Sequence, residues 1–254
     1  MASDDVSAAV EKTASVDSSR IAIVEARTEG RTIGEGVSDF SGRRGRITVD
    51  YESRENHNER LPGGEVLFVG TTMYLSRSIF GAWQGTETEE KLKPWLAADL
   101  AEQEPSLDSL LFPFPYIDPA RLLNALEEVS GAVESLGAKN VRGVETEGYR
   151  LTVDLRRAVE EGPAAHRQAL LDELERESQK TVPIRVWIDD DGFARRLVVL
   201  DGEDELTLDF YDFGVNVDVE APPDDQVDDF DRLFEGDETV VTTDIDEGQA
   251  EEDE

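Results

Sequence analysis

No cysteine occurs among the 254 residues. Disulfide staples, thiolate nucleophiles and cysteine-based zinc sites are thereby excluded. Histidine is almost as scarce. His57 stands in a polar stretch and His166 near the start of a surface-type helical pattern; neither has a Ser, Asp or Glu context that marks catalysis or metal ligation. No run approaches the roughly 18 apolar residues that a membrane helix needs, so the chain as given reads as soluble. A charged segment followed by an apolar signal core is also missing. Met1-Ala2-Ser3 reads equally as a natural start or as a start left by removal of an export signal.

Positive charge is the next scarcity. Lys and Arg number 25 against 59 Asp and Glu, a formal net charge of −34. Residues 220–254 alone hold 16 acidic residues against the single base Arg232. Such a field repels nucleic acid and anionic headgroups, so nucleic-acid binding is set aside. The motifs of catalysis are missing too: no Gly-rich phosphate loop, no G-x-S-x-G elbow and no H-E-x-x-H. Carboxylates are so abundant that a pair at catalytic spacing is expected by chance. Asp189-Asp190-Asp191-Gly192 superficially resembles a calcium loop, but it lacks the alternating ligands and the closing Glu, and reads better as a hairpin turn. The expectation is a non-enzymatic protein without metal or cofactor.

What is present is patterned apolar sequence. Val6, Ala9, Val10 and Thr13 fall on one side of a helical period, the mark of a packed N-terminal helix. From Arg20 the period changes to that of strands: Ile21–Val24, Thr32–Phe40 and Gly45–Tyr51, separated by Gly-containing turns. Glu65–Val69 and Thr72–Ser76 flank Gly70-Thr71 as a hairpin. Residues 52–64 are polar and read as a solvated loop, and Pro94-Trp95-Leu96 as the start of a short helix. Ser106–Tyr116 is apolar, aromatic and broken by two prolines; it must plug a core or flank a cavity.

Asp118-Pro119 is a helix start, with Leu122, Leu126, Val129, Val133 and Leu136 at helical spacing and Gly137 as the stop. Strands resume at Val141–Val144 and Gly148–Leu155, and Pro163 opens a surface helix reaching about Gln179. Val182–Asp189, Ala194–Leu200 and Glu205–Phe213 then read as three antiparallel strands joined at Asp191-Gly192 and Asp201-Gly202. Val215, Val217 and Val219 alternate as a last strand, which Pro222-Pro223 ends. Sequential short strands with tight turns imply an antiparallel meander. Residues 1–235 read as one domain, and residues 236–254 as an acidic, disordered tail.

Several segments resemble the LolA-like fold of the actinobacterial LppX and LprG type of lipoprotein. Asp118-Pro119 with Leu122-Leu123 and Leu126, then Arg142–Thr146, Tyr149 and Val153-Asp154-Leu155, is similar to that family's helix and following hairpin. Pro183–Asp189 with Gly192 and Arg195-Arg196 resembles its next hairpin, and Phe210–Phe213 with Ala221-Pro222-Pro223 its closing strand and end. Gly81-Ala82-Trp83 matches an earlier aromatic strand end. The likeness covers roughly residues 6–230. Two features depart from the family pattern: the lipobox cysteine is missing, and the acidic tail has no counterpart.

The resemblance implies an α+β fold, a half-open antiparallel β-barrel of about ten or eleven strands wrapped over a few helices. It implies an apolar cavity between sheet and helices that holds lipid acyl chains. The protein would then be a monomeric lipid carrier of the extracytoplasmic cell envelope, lipid-anchored to the membrane in its native form. The alternative is an envelope sensor that binds a transport or signalling protein through the same fold. Each buried methylene stabilises a bound chain by about 0.8 kcal/mol, so about ten hold it firmly yet reversibly. The expected lining is Ile47, Val49, Phe68, Met73, Leu111, Phe112, Phe114, Tyr116, Leu151 and Val153. In sequence, a cavity wall and a closed core look the same, so these residues could equally pack on one another.

Overall fold

The computed structural model describes residues 3–28, 30–40, 43–53, 60–79, 92–100, 133–161, 167–176 and 180–230. The Asp118-Pro119 helix start, Ser106–Tyr116, Pro163, both histidines and the acidic tail lie outside the described residues.

The chain opens with α1 (Ser3–Ala14), followed by β1 (Ser18–Ala26), β2 (Gly30–Asp39), β3 (Arg44–Ser53), β4 (Arg60–Val69), β5 (Thr72–Ser76) and β6 (Trp95–Asp99). Then come β7 (Glu134–Val141), β8 (Val144–Asp154), α2 (Leu155–Glu161), α3 (Arg167–Arg176), β9 (Thr181–Asp189), β10 (Ala194–Asp201), β11 (Asp204–Tyr211) and β12 (Val227–Asp229). The strands form one twelve-stranded sheet in the order β12-β6-β5-β4-β3-β2-β1-β11-β10-β9-β8-β7. All neighbours are antiparallel except β12 and β6, which run parallel. The sheet is open, with β12 at one edge and β7 at the other.

Two meanders meet in the middle of this sheet. The first walks outward from β1 to β6, and the second walks inward from β7 to β11. They join where β1 pairs with β11, from Arg20 opposite Tyr211 to Ala26 opposite Glu205. Alternation decides which side chains are covered. Ile21 and Ile23, Leu197 and Val199, and Leu206, Leu208 and Phe210 all point to one face and are at most 1% exposed.

Helix α1 lies on that covered face against β9 and β10. It buries the four side chains that its period predicts: Val6, Ala9, Val10 and Thr13. Thr13 is also a pin. Its hydroxyl donates to the Ala9 carbonyl at 2.8 Å and accepts the Ala194 backbone N–H at 2.8 Å. Helices α2 and α3 pack on each other, with α2 against β8, and send Leu155, Val159, Leu170 and Leu174 into the same core.

The opposite face carries a second, smaller cluster. Val141 of β7 packs with Trp187 of β9 and Val198 of β10, so the end of the β7–β8 hairpin reaches past its sheet neighbour β9 to β10. Its tip, Arg142-Gly143, has positive φ at both residues, as a two-residue hairpin turn requires. Arg142 bonds Asp209 at 3.0 Å and Glu35 at 3.2 Å, and lies over the Tyr211 ring. Asp209, itself buried, also takes both hydrogen bonds of Arg196 from the facing strand.

Several local expectations are corrected. The sheet has twelve strands, more than expected. Residues 52–64 are not simply loop: β3 runs to Ser53 and β4 begins at Arg60, with a bulge that brings Gly63 against the Val49 carbonyl. A Cβ at Gly63 would lie 2.2 Å from that oxygen, so glycine fits where a larger residue would not. Trp95-Leu96 begin strand β6, since Leu96 and Ala98 alternate inward beside β5. Leu136 and Gly137 belong to β7, where Gly137, at φ +79°, sits at a register shift and does not stop a helix. Val141–Val144 is the hairpin with its turn, and the strand proper begins at Val144.

Val215–Val219 form no ladder among the described residues. The segment is tied down by Ser18, whose hydroxyl donates to the Val215 carbonyl while its own carbonyl accepts the Gly214 N–H. Pro222-Pro223 do not end the fold either. Beyond them β12 joins β6, where buried Asp228 accepts the Lys93 N–H at 2.8 Å and the Lys93 ammonium bonds the Val227 carbonyl.

Two predictions follow from buried polar groups. Thr13→Val keeps the shape but strands the Ala194 N–H, at a cost of about 1–3 kcal/mol. Denaturant unfolding should show that loss, with Thr13→Ser close to the parent; an unchanged midpoint for Thr13→Val would remove the pin from the account. Glu25 is 3% exposed at its side chain. Burial pushes its carboxyl above the ordinary glutamate range, against the opposing hydrogen bond and charge of Arg27. The folded state therefore holds that proton more tightly than the unfolded chain. The stabilising contribution is full below the unfolded pKa and is lost as pH rises through the folded one. Glu25→Gln should accordingly stabilise the protein near neutral pH and lose its advantage on acidification, measured as unfolding free energy against pH.

Candidate functional site

The candidate site is the covered face of the sheet. Six of the expected lining residues are described, and all six are on it. Ile47 and Val49 sit on β3, 3% and 4% exposed. Phe68 of β4 stands directly opposite Met73 of β5. On the other half, Leu151 and Val153 of β8 face Ile184 and Val182 of β9. All six join one continuous apolar cluster. Leu111, Phe112, Phe114 and Tyr116 lie outside the described residues.

Strand β2 brings small residues to this surface. The residues it turns to the covered face, read from its pairing with Ile21 and Ile23, are Thr32, Gly34, Gly36 and Ser38. None carries a large side chain. Ile47 and Val49 lean over the gap, so that a Cβ at Gly34 would lie 3.0 Å from Ile47 and 3.3 Å from Val49. Ile47 and Val49 thus fill the space that larger side chains on β2 would take, and glycine at Gly34 and Gly36 lets β2 and β3 pack closely.

Among the described residues, the strongest helix contacts with this wall lie toward one end of the sheet. The principal helix-to-sheet contacts of α1 and α2 fall on β8, β9 and β10, and α3 packs on α2. Ile47, Val49, Phe68 and Met73 lie on β3–β5, far along the sheet from those contacts. Sequence reasoning missed equally apolar members of the same face, notably Val66, Leu75, Leu197 and Leu208. The signal was present in the period-2 alternation that singled out the others.

Chemically this face can exclude water and little else. Glu25, at the end of β1, is the one ionisable group among the described residues that is both buried on the β1 side of this face and shifted by burial. Among the described residues, no three metal-ligating side chains converge, and no helix is long and apolar enough to cross a membrane.

A separate groove of about 520 Å³ lies beside α1. Asp5, Ala8, Ala9 and Lys12 of α1 form one side, and Tyr149, Ile188 and the turn Asp190-Asp191 form the other. It is rimmed by carboxylates, and its Ala9, Tyr149 and Ile188 also belong to the apolar cluster.

No protein-family model matches the sequence, and no curated protein matches it. Solved structures do match by shape. The lipoprotein LppX of Mycobacterium tuberculosis is 13% identical with a TM-score of 0.50, over 86% of this chain and 97% of its own. LprF of Mycobacterium bovis is 14% identical with a TM-score of 0.50, over 87% of this chain and 96% of its own. The twelve-stranded open sheet thus has the fold of mycobacterial LprF and of the lipoprotein LppX.

Proposed function

We propose that this protein binds lipid, holding acyl chains against the covered face of its sheet. The observation that carries the reading is the continuous apolar cluster that runs along one face of the sheet from β3–β5 to β8. Ile47, Val49, Phe68, Met73, Leu151 and Val153 form the described part of the lining, completed by Leu111, Phe112, Phe114 and Tyr116. The fold shared with LprF and the lipoprotein LppX supports the reading. No bond is made or broken in such a role. Affinity comes from apolar area removed from water, and release requires only a competing apolar surface.

In this reading, residues 1–235 form a single lipid-binding domain followed by the acidic tail at 236–254. The protein works in the cell envelope, anchored to the membrane by a lipid, and carries its cargo between membrane surfaces. The field of the −34 charge favours a neutral or cationic headgroup over an anionic one.

Native purification followed by lipid mass spectrometry tests this. The expected outcome is an acyl lipid in stoichiometric amount. Phe68→Gln and Val153→Gln should each weaken lipid retention about tenfold or more, since a buried apolar side chain contributes about 1.5–3 kcal/mol. Circular dichroism and unfolding midpoints separate loss of binding from loss of fold. A folded protein that copurifies with no lipid and takes none from vesicles, but captures an envelope protein, would replace carriage with the sensor role.

A further inference from the structure

The outer face of the sheet over β8–β10 carries a charge opposite to that of the chain as a whole. Gly148, Arg150 and Thr152 of β8 stand beside Trp187, Arg185 and Pro183 of β9. Arg196 and Val198 of β10 stand beside Trp187 and Arg185 from the other side. Leu200 continues the β10 row and packs on the small outer cluster. These positions hold three arginines and no carboxylate, in a chain where 59 of 254 residues are acidic. Exposed Lys139 of β7 adds a further cation, its ammonium 4.7 Å from the centre of the Trp187 ring.

The three arginines differ in what they already hold. Arg196 is committed to Asp209 through two hydrogen bonds. Arg150 reaches Glu134 at 3.2 Å, in a pair whose side chains are 47% and 65% exposed. An ion pair so open to water is worth little and exchanges readily. Arg185 is half-buried and has no ion-pair partner among the described residues, and its Nε is buried without a hydrogen bond.

The strand register makes this arrangement costly. Arg150 and Arg185 are direct cross-strand partners, which sets their Cβ atoms about 5 Å apart. Like charges so placed repel, and a buried N–H without an acceptor adds its own desolvation cost. A single carboxylate between them reverses both effects, because its two oxygens can accept from both guanidinium forks. The flat sheet surface suits an extended peptide, and half-buried Leu200 gives an apolar residue of that peptide a place beside the charged one. At physiological ionic strength the general negative field is screened beyond about 8 Å. The local sign therefore decides where an acidic segment can settle.

We propose that this face docks an acidic segment of a partner protein, with an Asp or Glu carboxylate of that segment held between Arg150 and Arg185. Lys139 supplies a second, weaker contact, and Trp187 and Leu200 border the apolar neighbours of the bound carboxylate. The inference does not rest on lipid binding, which uses the other side of the sheet.

The test is calorimetric titration of the full chain, at about 150 mM salt, with a short peptide of glutamate and leucine and with its glutamine-for-glutamate counterpart. Saturable one-to-one binding of the first peptide alone is expected. Arg185→Met keeps the aliphatic stem and removes the charge; it should weaken binding about tenfold, the usual scale for a hydrogen bond between charged groups. Its unfolding midpoint should be unchanged or raised, since the opposed like charges are relieved. Arg150→Gln should weaken binding several-fold. Arg46→Gln removes an exposed arginine from the same outer face on β3, where it lies 3.6 Å from Glu65, and should weaken it much less. No saturable binding, equal binding of the glutamine peptide, or an equal loss in Arg46→Gln would overturn the proposal. So would displacement of the peptide by an equal concentration of inorganic phosphate, which would reduce the face to an unspecific anion contact. A full chain that sediments as a dimer, and as a monomer once Arg185→Met is made, would assign the face to a second copy of the chain and overturn it as well.

Discussion

The fold rests on the pairing of β1 with β11. Each meander is local and could form from neighbouring hairpins, but neither alone has a closed apolar face. The seam between them brings Ile21 opposite Phe210 and Ile23 opposite Leu208, across almost the whole length of the chain. Closing so long a loop costs entropy before any contact is made. It is recovered because every side chain on the covered side of the seam is shut away from water. A slip of one residue would exchange Ile21 and Ile23 for Arg20 and Ala22, so burial fixes the register. The Asp209 network on the opposite face acts on the same strands: Arg196 and Arg142 both converge on β11, and Glu35 on β2 ties in the neighbour of β1. Like any buried charge, Asp209 requires these partners to be tolerated.

Much of this was legible in the sequence where one physical rule acted alone. The alternation in Arg46–Tyr51 and Gly148–Leu155 gave the right faces, and Gly70, Gly192 and Gly202 marked real turns with positive φ. The Val6, Ala9, Val10 and Thr13 stripe gave the N-terminal helix and its buried side together. Failures came where two rules competed. Leu136-Gly137 continues a helical spacing that begins at Leu122, but from Glu134 the chain pairs with β8, and tertiary pairing overrides the period. Pro94 looked like a helix start, yet Trp95–Asp99 is short and half-buried, and the edge of β5 offers it a ladder. Val215–Val219 alternates as a strand would, but a ladder needs a neighbour, and both sides of β11 are already taken by β1 and β10.

The candidate site was legible to the extent that it is a face. Alternation identifies which residues look inward, and it placed Ile47, Val49, Phe68, Met73, Leu151 and Val153 on one surface. It cannot say that strands six places apart in the sheet share that surface, since this follows from the β1–β11 seam. The close packing of β2 on β3 was hidden for another reason: Gly34 and Gly36 fall inside the strand read at Thr32–Phe40, but nothing in the alternation says that Ile47 and Val49 lean over them. The groove beside α1 could not be read at all. Its parts, Asp5 and Tyr149, are separated by 144 positions and meet because α1 buries Val6, Ala9 and Val10 on the sheet and Thr13 pins it to β10.

An open sheet has an inherent weakness in its two margins, where spare N–H and C=O groups invite a strand from another molecule. At the β6 margin the three residues of β12 lie along it, locked by Asp228 to the Lys93 N–H. At the β7 margin the bulge at Gly137 breaks the straight run of the strand, and exposed Glu134 and Lys139 put charge on it. Copies of this chain are thereby discouraged from zipping margin to margin into fibrils.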